Sequence, residues 1–216
     1  MSYNLRRRSY KNWKILSIGE AIPRAEKQKP AQEVLPDLYD VERIITKRPT
    51  QSGEKYLIKW KGYHKEESTW EPFSHVPVDL RNRFMNPPVC RERPETAALI
   101  LESAIQQRLR SRNNRTIINF ELDVFRYSFG ETRTTLLSNS DFEKLPLSPH
   151  WYYTINGKGR GTLLSFPVKA EPRLWMKKLH VYKDGELVFF SVPVERLVIT
   201  SATEGLVISS VNKQNN

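Results

Sequence analysis

The sequence predicts a mixed α+β protein, mainly β, in which a small N-terminal β module, a linking helix and a C-terminal antiparallel β domain follow one another. Three observations favour this fold class. Short runs of alternating apolar and polar residues lie between residues 39 and 72. An apolar stripe at helical spacing lies in residues 94–112. Short apolar runs with hairpin turn signals follow in residues 113–211.

The N-terminal module begins after residues 1–36, a basic arm whose prolines and lack of apolar periodicity predict disorder. Strands are predicted for Tyr39 to Lys47, for Lys55 to Lys61 and for Ser68 to Pro72. Leu57 breaks the alternation of the second strand. A short helix is predicted from Val78 to Met85, ended by Asn86-Pro87-Pro88.

Residues 94–112 are predicted to form the linking helix, with Pro94 in its first turn. Its apolar face consists of residues spaced four apart, namely Ala97, Leu101, Ile105 and Leu109. Two interpretations stay open for this face. It packs on one of the two domains, or it mediates self-association into a homodimer.

Residues 113–211 are predicted to form an antiparallel β domain of six or so strands, followed by a polar tail in 212–216. β-branched and aromatic residues predict a strand in Thr116 to Tyr127. Asn156-Gly157 and Asp184-Gly185 are typical of hairpin turns. Two further strands are predicted at Leu197 to Ile199 and at Leu206 to Ile208.

Positive charge is concentrated outside the N-terminal module. The 216 residues carry a net charge of +11, and eight basic residues face three acidic ones in 1–36. Six face three in 89–120. Clustered Lys and Arg favour nucleic acid through counterion release. The predicted nucleic-acid contacts are Arg6, Arg7, Arg8, Arg108, Arg110 and Arg112.

The sequence argues against several other classes of protein. A single cysteine, Cys90, allows neither an internal disulfide nor a cysteine-rich zinc cluster. The four histidines are dispersed, so no metal and no cofactor are predicted. No run of about 18 apolar residues exists, and no secretory signal begins the chain, which predicts no membrane partner.

Three blocks of residues between 39 and 72 follow one another in a specific order and spacing. They are Tyr39-Asp40-Val41-Glu42-Arg43-Ile44, Tyr56-Leu57-Ile58-Lys59-Trp60-Lys61-Gly62-Tyr63 and Ser68-Thr69-Trp70-Glu71-Pro72. Together they resemble a chromodomain of the heterochromatin-protein and Polycomb class. The resemblance covers about a quarter of the chain and places the module at residues 37–88. It implies a three-stranded barrel with a short helix that reads methylated lysine on histone tails.

The resemblance assigns the methyl-lysine cage to Tyr39, Trp60 and Tyr63. Aromatic faces attract a methylated ammonium through the cation–π effect and tolerate its apolar methyl groups, at about 0.5–2 kcal/mol per ring. The alternative is that all three rings belong to the core. Trp70 is interpreted as core packing.

The resemblance also places the histone tail as an added strand between Asp37 to Val41 and Phe73 to Asp79. The predicted cage rim and peptide contacts are Glu67, Leu38, Val41, Glu71 and His75. The choice between the lysine-nine and lysine-twenty-seven marks stays open, because both marks follow Ala-Arg and precede Ser.

The sequence as a whole therefore predicts a non-enzymatic, nuclear, chromatin-associated reader. Its expected partners are a methylated histone tail, nucleosomal DNA or RNA, and an unknown protein bound by the C-terminal domain. Two rival hypotheses remain. One is a nucleic-acid-binding protein whose barrel does not read histones. The other is an enzyme in the β domain, for which His150, Asp141 and Glu143 form no recognisable catalytic constellation.

Overall fold

The computed structural model describes residues 4–6, 38–111, 113–183 and 186–201. The predictions that fall elsewhere lie outside the described residues. These are the arm apart from residues 4–6, Arg112, the Asp184-Gly185 turn, the strand at Leu206 to Ile208 and the tail. Within the described part of the chain, no helix is long and apolar enough to cross a membrane.

The N-terminal module is an antiparallel sheet in the order β1-β2-β3-β4, followed by a short helix, α1. The elements are β1 (Asn4–Arg6), β2 (Leu38–Thr50), β3 (Gly53–Trp60), β4 (Thr69–Pro72) and α1 (Val78–Asn82).

The prediction that α1 reaches Met85 is wrong. The chain leaves the helix at Arg83 so that Phe84 can enter the module core, where its ring lies 6.0 Å from that of Tyr56.

The linking helix is α2 (Glu92–Ser111), which begins two residues before the predicted Pro94. All four residues of its predicted apolar face are buried. They join the largest core cluster of the protein, together with residues of the C-terminal sheet such as Ile118 and Val168. The interpretation that this face packs on a domain is therefore the one that the structure supports.

Among its described residues the C-terminal domain has six strands, where the sequence predicted six or so. They are β5 (Arg115–Asn119), β6 (Thr135–Leu137), β7 (Tyr153–Ile155), β8 (Gly161–Leu163), β9 (Val168–Lys183) and β10 (Glu186–Ser201). Four of them form an antiparallel sheet in the order β5-β10-β9-β6, and β7 pairs with β8.

The hairpin that Asn156-Gly157 indicated is present, with a loop longer than these two residues. Ile155 pairs with Gly161, so five residues connect the strands. The Asn156 side chain accepts hydrogen bonds from the backbone N–H groups of Lys158 and Arg160, and Gly159 takes a positive φ of 74°. The side chain of Asn156 thus organises a longer loop.

The strand predicted from Thr116 to Tyr127 is also wrong beyond Asn119. The chain forms a helix there, α3 (Leu122–Phe129), which ends at Gly130 with φ 69°. Leu122 and Phe125, near the start of this helix, bury their side chains in different core clusters. Tertiary packing in both clusters outweighs the β propensity of Val124, Phe125 and Tyr127.

The module and the C-terminal domain share a core and a buried ion network. Ile45 and Leu57 on the outer face of the module sheet pack against Leu122 of α3, with Trp70 and Leu174 beside them. This second buried face explains why Leu57 interrupts the alternation of β3. The two parts of the chain are therefore one packed unit at this face.

Candidate functional site

The three predicted cage residues lie together where β2 meets the end of β3. Tyr39 is in β2, and Val41 pairs with Trp60, the last residue of β3. Gly62 takes a φ of 78°, which bends the chain so that Tyr63 returns toward Trp60. The N–H of Lys61 donates to the carbonyl of Asp40 at 2.9 Å and fixes the bend to β2.

The three rings touch edge to face. The ring centroids of Tyr39 and Trp60 are 6.2 Å apart at 67°, and those of Tyr39 and Tyr63 are 5.5 Å apart at 74°. The two tyrosines are only partly buried, so their side chains can adjust their position around a bound methylammonium.

Trp60 forms the fixed wall of the site. It is only 1% exposed and belongs to the module core, so the alternative interpretation of the rings as core holds for this one residue. Its Nε1–H donates to Thr69 Oγ1 at 3.0 Å, and that hydroxyl donates to Glu71 Oε1 at 2.6 Å. A ring held by packing and by a hydrogen-bond relay keeps its orientation when the tyrosines move.

Glu71 and His75 belong to the hydrogen-bond relay that holds the ring of Trp60. Glu71 is buried, and its Oε2 lies 3.4 Å from His75 Nδ1. The predicted role of these two side chains in direct peptide contact stays untested, whereas their place in the relay to Trp60 is observed. Val41 packs against the same core as Trp60.

Lys59 is a structural residue of the site that the sequence did not reveal. Its Nζ donates to the carbonyls of Trp60 at 2.8 Å and Tyr63 at 2.6 Å, and it pairs with Glu42 at 2.7 Å. The ammonium thus holds the bend that carries two of the three rings. A lysine in an alternating strand is normally a solvated residue, so nothing in the pattern indicates this contact.

Glu67 is half-buried and caps a turn next to the rings. Its Oε2 accepts the N–H of His64 at 2.9 Å, which closes the single 3-10 turn Lys65–Glu67 after the bend. Its predicted place at the cage rim stays a prediction.

The edge of β2 beside the rings already carries a strand. In β1, Asn4 pairs with Asp40, Leu5 with Tyr39 and Arg6 with Leu38. This is the edge on which the resemblance placed the histone tail. The chain's own N-terminal residues therefore occupy part of the expected peptide position. The side chain of Leu38 lies outside the described residues.

Of the six predicted nucleic-acid contacts, the structure describes the side chains of Arg108 and Arg110. Arg108 is 3% exposed, and its guanidinium donates to the carbonyls of Asn113 and Ile199 and to the Ser201 hydroxyl. The prediction that Arg108 contacts nucleic acid is therefore wrong, because its donors stabilise the end of α2 against β10. Arg110 is exposed. Of Arg6 only the backbone is described, and Arg7, Arg8 and Arg112 lie outside the described residues.

A second concavity of about 300 Å³ lies between α2 and the segment that joins β5 to α3. Its charged residues are paired with one another. Glu195 accepts two hydrogen bonds from Arg43, one from the N–H of Leu122 and an ion pair from Lys65 at 2.8 Å.

Burial alone would raise the pKa of Glu195, but the hydrogen bond and charge of Arg43, with Lys65, lower it to about 2. A carboxylate so stabilised is a poor general base. Among the described residues, no group of three His, Cys, Asp or Glu side chains is arranged to hold a metal ion.

Comparison with known proteins agrees with the geometry of the module. Residues 39–81 match the family model of the Chromo (CHRromatin Organisation MOdifier) domain. Chromodomain Y-like protein 2 of Homo sapiens is 56% identical over 41 residues, which are 18% of this chain and 8% of that protein. Chromobox protein homolog hpl-1 of Caenorhabditis elegans is 38% identical over 48 residues, 22% of this chain and 26% of that protein.

The matched segment thus spans about a quarter or less of the length of these relatives. No solved structure matches the chain. The comparisons support a role of the chromatin-reader kind. With the family model, the relatives and the three-stranded module in agreement, residues 39–81 of this chain form a chromodomain.

Proposed function

We propose that the protein is a non-enzymatic nuclear reader that binds a di- or trimethylated lysine of a histone tail, at the lysine-nine or lysine-twenty-seven site. The observation that carries this proposal is the convergence of Tyr39, Trp60 and Tyr63 beside a β2 edge that accepts an added strand. The rings offer a site for the methylated ammonium, and the edge offers backbone partners for the tail. The C-terminal domain recruits or anchors a partner.

The two tyrosines are the moving part of this site. Each leaves its edge-to-face contact and turns a face toward the ammonium, while Trp60 stays fixed by the Thr69 and Glu71 relay. The histone tail takes the place of residues 4–6 on the edge of β2. Binding therefore competes with a strand of the same chain, so the apparent affinity is the intrinsic affinity multiplied by the fraction of molecules in which the β2 edge is open.

The test is calorimetry of the full chain with tail peptides that cover both lysine sites, each unmodified and trimethylated. Micromolar binding that requires the methyl groups is expected. Replacing Trp60 would be a poor control, because removing a fully buried Trp costs about 3–5 kcal/mol of stability. Tyr63→Leu and Tyr63→Phe are a matched pair at a partly exposed position.

Tyr63→Leu removes the ring and is expected to weaken methyl-dependent binding by between about twofold and thirtyfold, the worth of one cation–π contact. Tyr63→Phe keeps the ring and is expected to retain methyl-dependent binding. If no methyl-dependent binding occurs, even in a chain without residues 1–36, the proposal fails for these marks. Equal binding of all peptides with a steep salt dependence would favour the rival role in nucleic-acid binding.

A further inference from the structure

The longest hairpin of the protein extends beyond its sheet as a two-stranded ribbon. β9 pairs with β6 only through residues 168–170, and β10 pairs with β5 only through residues 196–200. From Trp175 to Lys183, and from Glu186 to Val194, the two strands pair with each other and with no other described strand. An isolated two-stranded ribbon is only marginally stable in water, so this one would be stabilised by a further strand along its edge.

The ribbon exposes large apolar side chains toward its tip. Tyr182 is 75% exposed, Phe189 is 69% exposed, and Val188 and Leu187 are about 40% exposed. The β-sheet edges of soluble proteins are normally protected by charges, by proline or by a covering element. The two edges of this ribbon differ in that respect.

The β9 edge is guarded by lysines, whereas the β10 edge is not. Lys177, Lys178 and Lys183 lie on β9. On β10, the run Leu187-Val188-Phe189-Phe190-Ser191-Val192 carries no charge and ends at Pro193. Six uncharged residues on an edge that no other described strand covers, four of them of high β propensity, are a template for strand addition.

The direction of the backbone groups on β10 follows from its proximal end. The carbonyl of Glu195 accepts the N–H of Phe120 at 3.1 Å, so it points away from β9 toward the outer edge. Alternate residues of a strand in an antiparallel sheet point the same way. The N–H groups of Leu187, Phe189 and Ser191 therefore point outward, and Pro193 stands where the next outward donor would be.

We propose that a second copy of this chain pairs with the β10 edge across a two-fold axis, which joins the two ribbons into a four-stranded antiparallel sheet. With Phe189 opposite Phe189 of the second copy, Leu187 falls opposite Ser191, and all three outward N–H groups find carbonyl acceptors. Glu186 then faces Val192, so no like charges meet. A shift of this register by two residues toward Pro193 would leave one donor position empty.

The exposed area indicates a weak dimer. At about 200 Å² for a side chain of this size, the exposed fractions of Leu187, Val188 and Phe189 amount to about 300 Å² of apolar surface. A standard stable interface takes about 800 Å² from each partner. The dimer is therefore expected to be weak and to respond to concentration. The proposed dimer does not depend on the proposed binding of a histone tail.

The test is sedimentation velocity of the full chain from about 1 to 200 µM. A concentration-dependent shift from monomer to dimer is expected. Ser191→Pro removes an outward N–H from the β10 edge and should weaken dimerisation at least tenfold. Lys178→Pro is the matched control, because Lys178 pairs with Ser191 and its outward N–H lies on the opposite edge. This variant should dimerise like the parent chain.

A second pair of variants leaves the backbone intact. Phe189→Lys places like charges beside the two-fold axis and should also produce monomers, whereas His180→Lys, on the same rung of β9, should not. Circular dichroism of each variant checks that it is folded. A parent chain that stays monomeric at 200 µM would overturn the proposal, as would equal effects of the two lysine variants when both are folded.

Discussion

The ion network between the chromodomain and the C-terminal domain leads to a quantitative prediction. Arg43 in β2 donates to both carboxylate oxygens of Glu195 in β10, at 2.7 and 3.0 Å, and to Asp123 of α3 at 2.9 Å. The side chain of Glu195 is 1% exposed and that of Arg43 is 9% exposed. Burial alone would lower the pKa of Arg43, but Glu195, Asp123 and Glu121 raise it overall.

Glu195→Gln is expected to destabilise the protein by about 3–5 kcal/mol, the cost of removing one partner from a buried pair. The new amide N–H₂ would face donors, because Arg43, Lys65 and the N–H of Leu122 all point at the carboxylate. For a chain of this length, the loss corresponds to a fall in melting temperature of about 10 °C. Arg43→Met should cost a similar amount, because it leaves three carboxylates close together.

The assay is urea denaturation of the two single variants and the double variant. The loss in free energy of unfolding in the double variant should be smaller than the sum of the two single losses by about 1–3 kcal/mol, since the two side chains act as a pair. Lys47 and Glu54 provide the control. They form an ion pair of similar length, 2.9 Å, with about 40% of each side chain exposed. Their replacement should cost no more than about 1 kcal/mol.

The parent chain should unfold in one urea transition, since the core around Leu57 and Leu122 joins the chromodomain to the C-terminal domain. Two well-separated transitions in the parent chain would refute this reasoning. So would single variants at Arg43 or Glu195 that cost less than the exposed control.

Two further predictions concern acid and the N-terminal strand. Because folding lowers the pKa of Glu195 from 4.5 to about 2, its stabilisation of about 3 kcal/mol is complete above pH 4.5 and is lost as the pH falls toward 2. The stability of Glu195→Gln, followed by fluorescence in acid titrations, should therefore depend less on pH over this range than that of the parent chain. Removing residues 1–36 should raise the affinity for a trimethylated tail about two- to tenfold, because β1 no longer competes for the β2 edge. Unchanged affinity in calorimetry would show that β1 does not compete.

The sequence predicted the elements whose pattern is local. The alternation in Tyr56, Ile58 and Trp60 identified β3, and the four-residue spacing of the apolar positions identified α2. The position of the three cage rings came from the family resemblance and not from periodicity. Their edge-to-face contact could not be predicted, because it depends on how side chains from different strands pack in three dimensions.

The failures arose where distant residues decide the local structure. α3 was predicted as a strand because Val124, Phe125 and Tyr127 have high β propensity, yet the helix buries residues in two cores at once. Arg108 was predicted to face nucleic acid, but its partners come from β10, about ninety residues later in the chain. Leu57 did carry a signal, because an apolar residue on the polar face of a strand indicates that both faces are covered.

The outer face of the chromodomain sheet, around Ile45 and Leu57, also links the ring site to the C-terminal domain. The ring site and the network around Arg43 lie on the same strand, with Tyr39 and Arg43 four residues apart in β2. The register of β2 against β3 shifts between Val41 and Arg43, so a bulge separates the two sites. Arg43 and Ile45 hold the other end of β2 against α3 and β10 through buried, paired contacts. A binding site keeps its geometry only when the residues that support it are held in place. We therefore expect that loosening this contact at Glu195 weakens the proposed tail binding as well as stability.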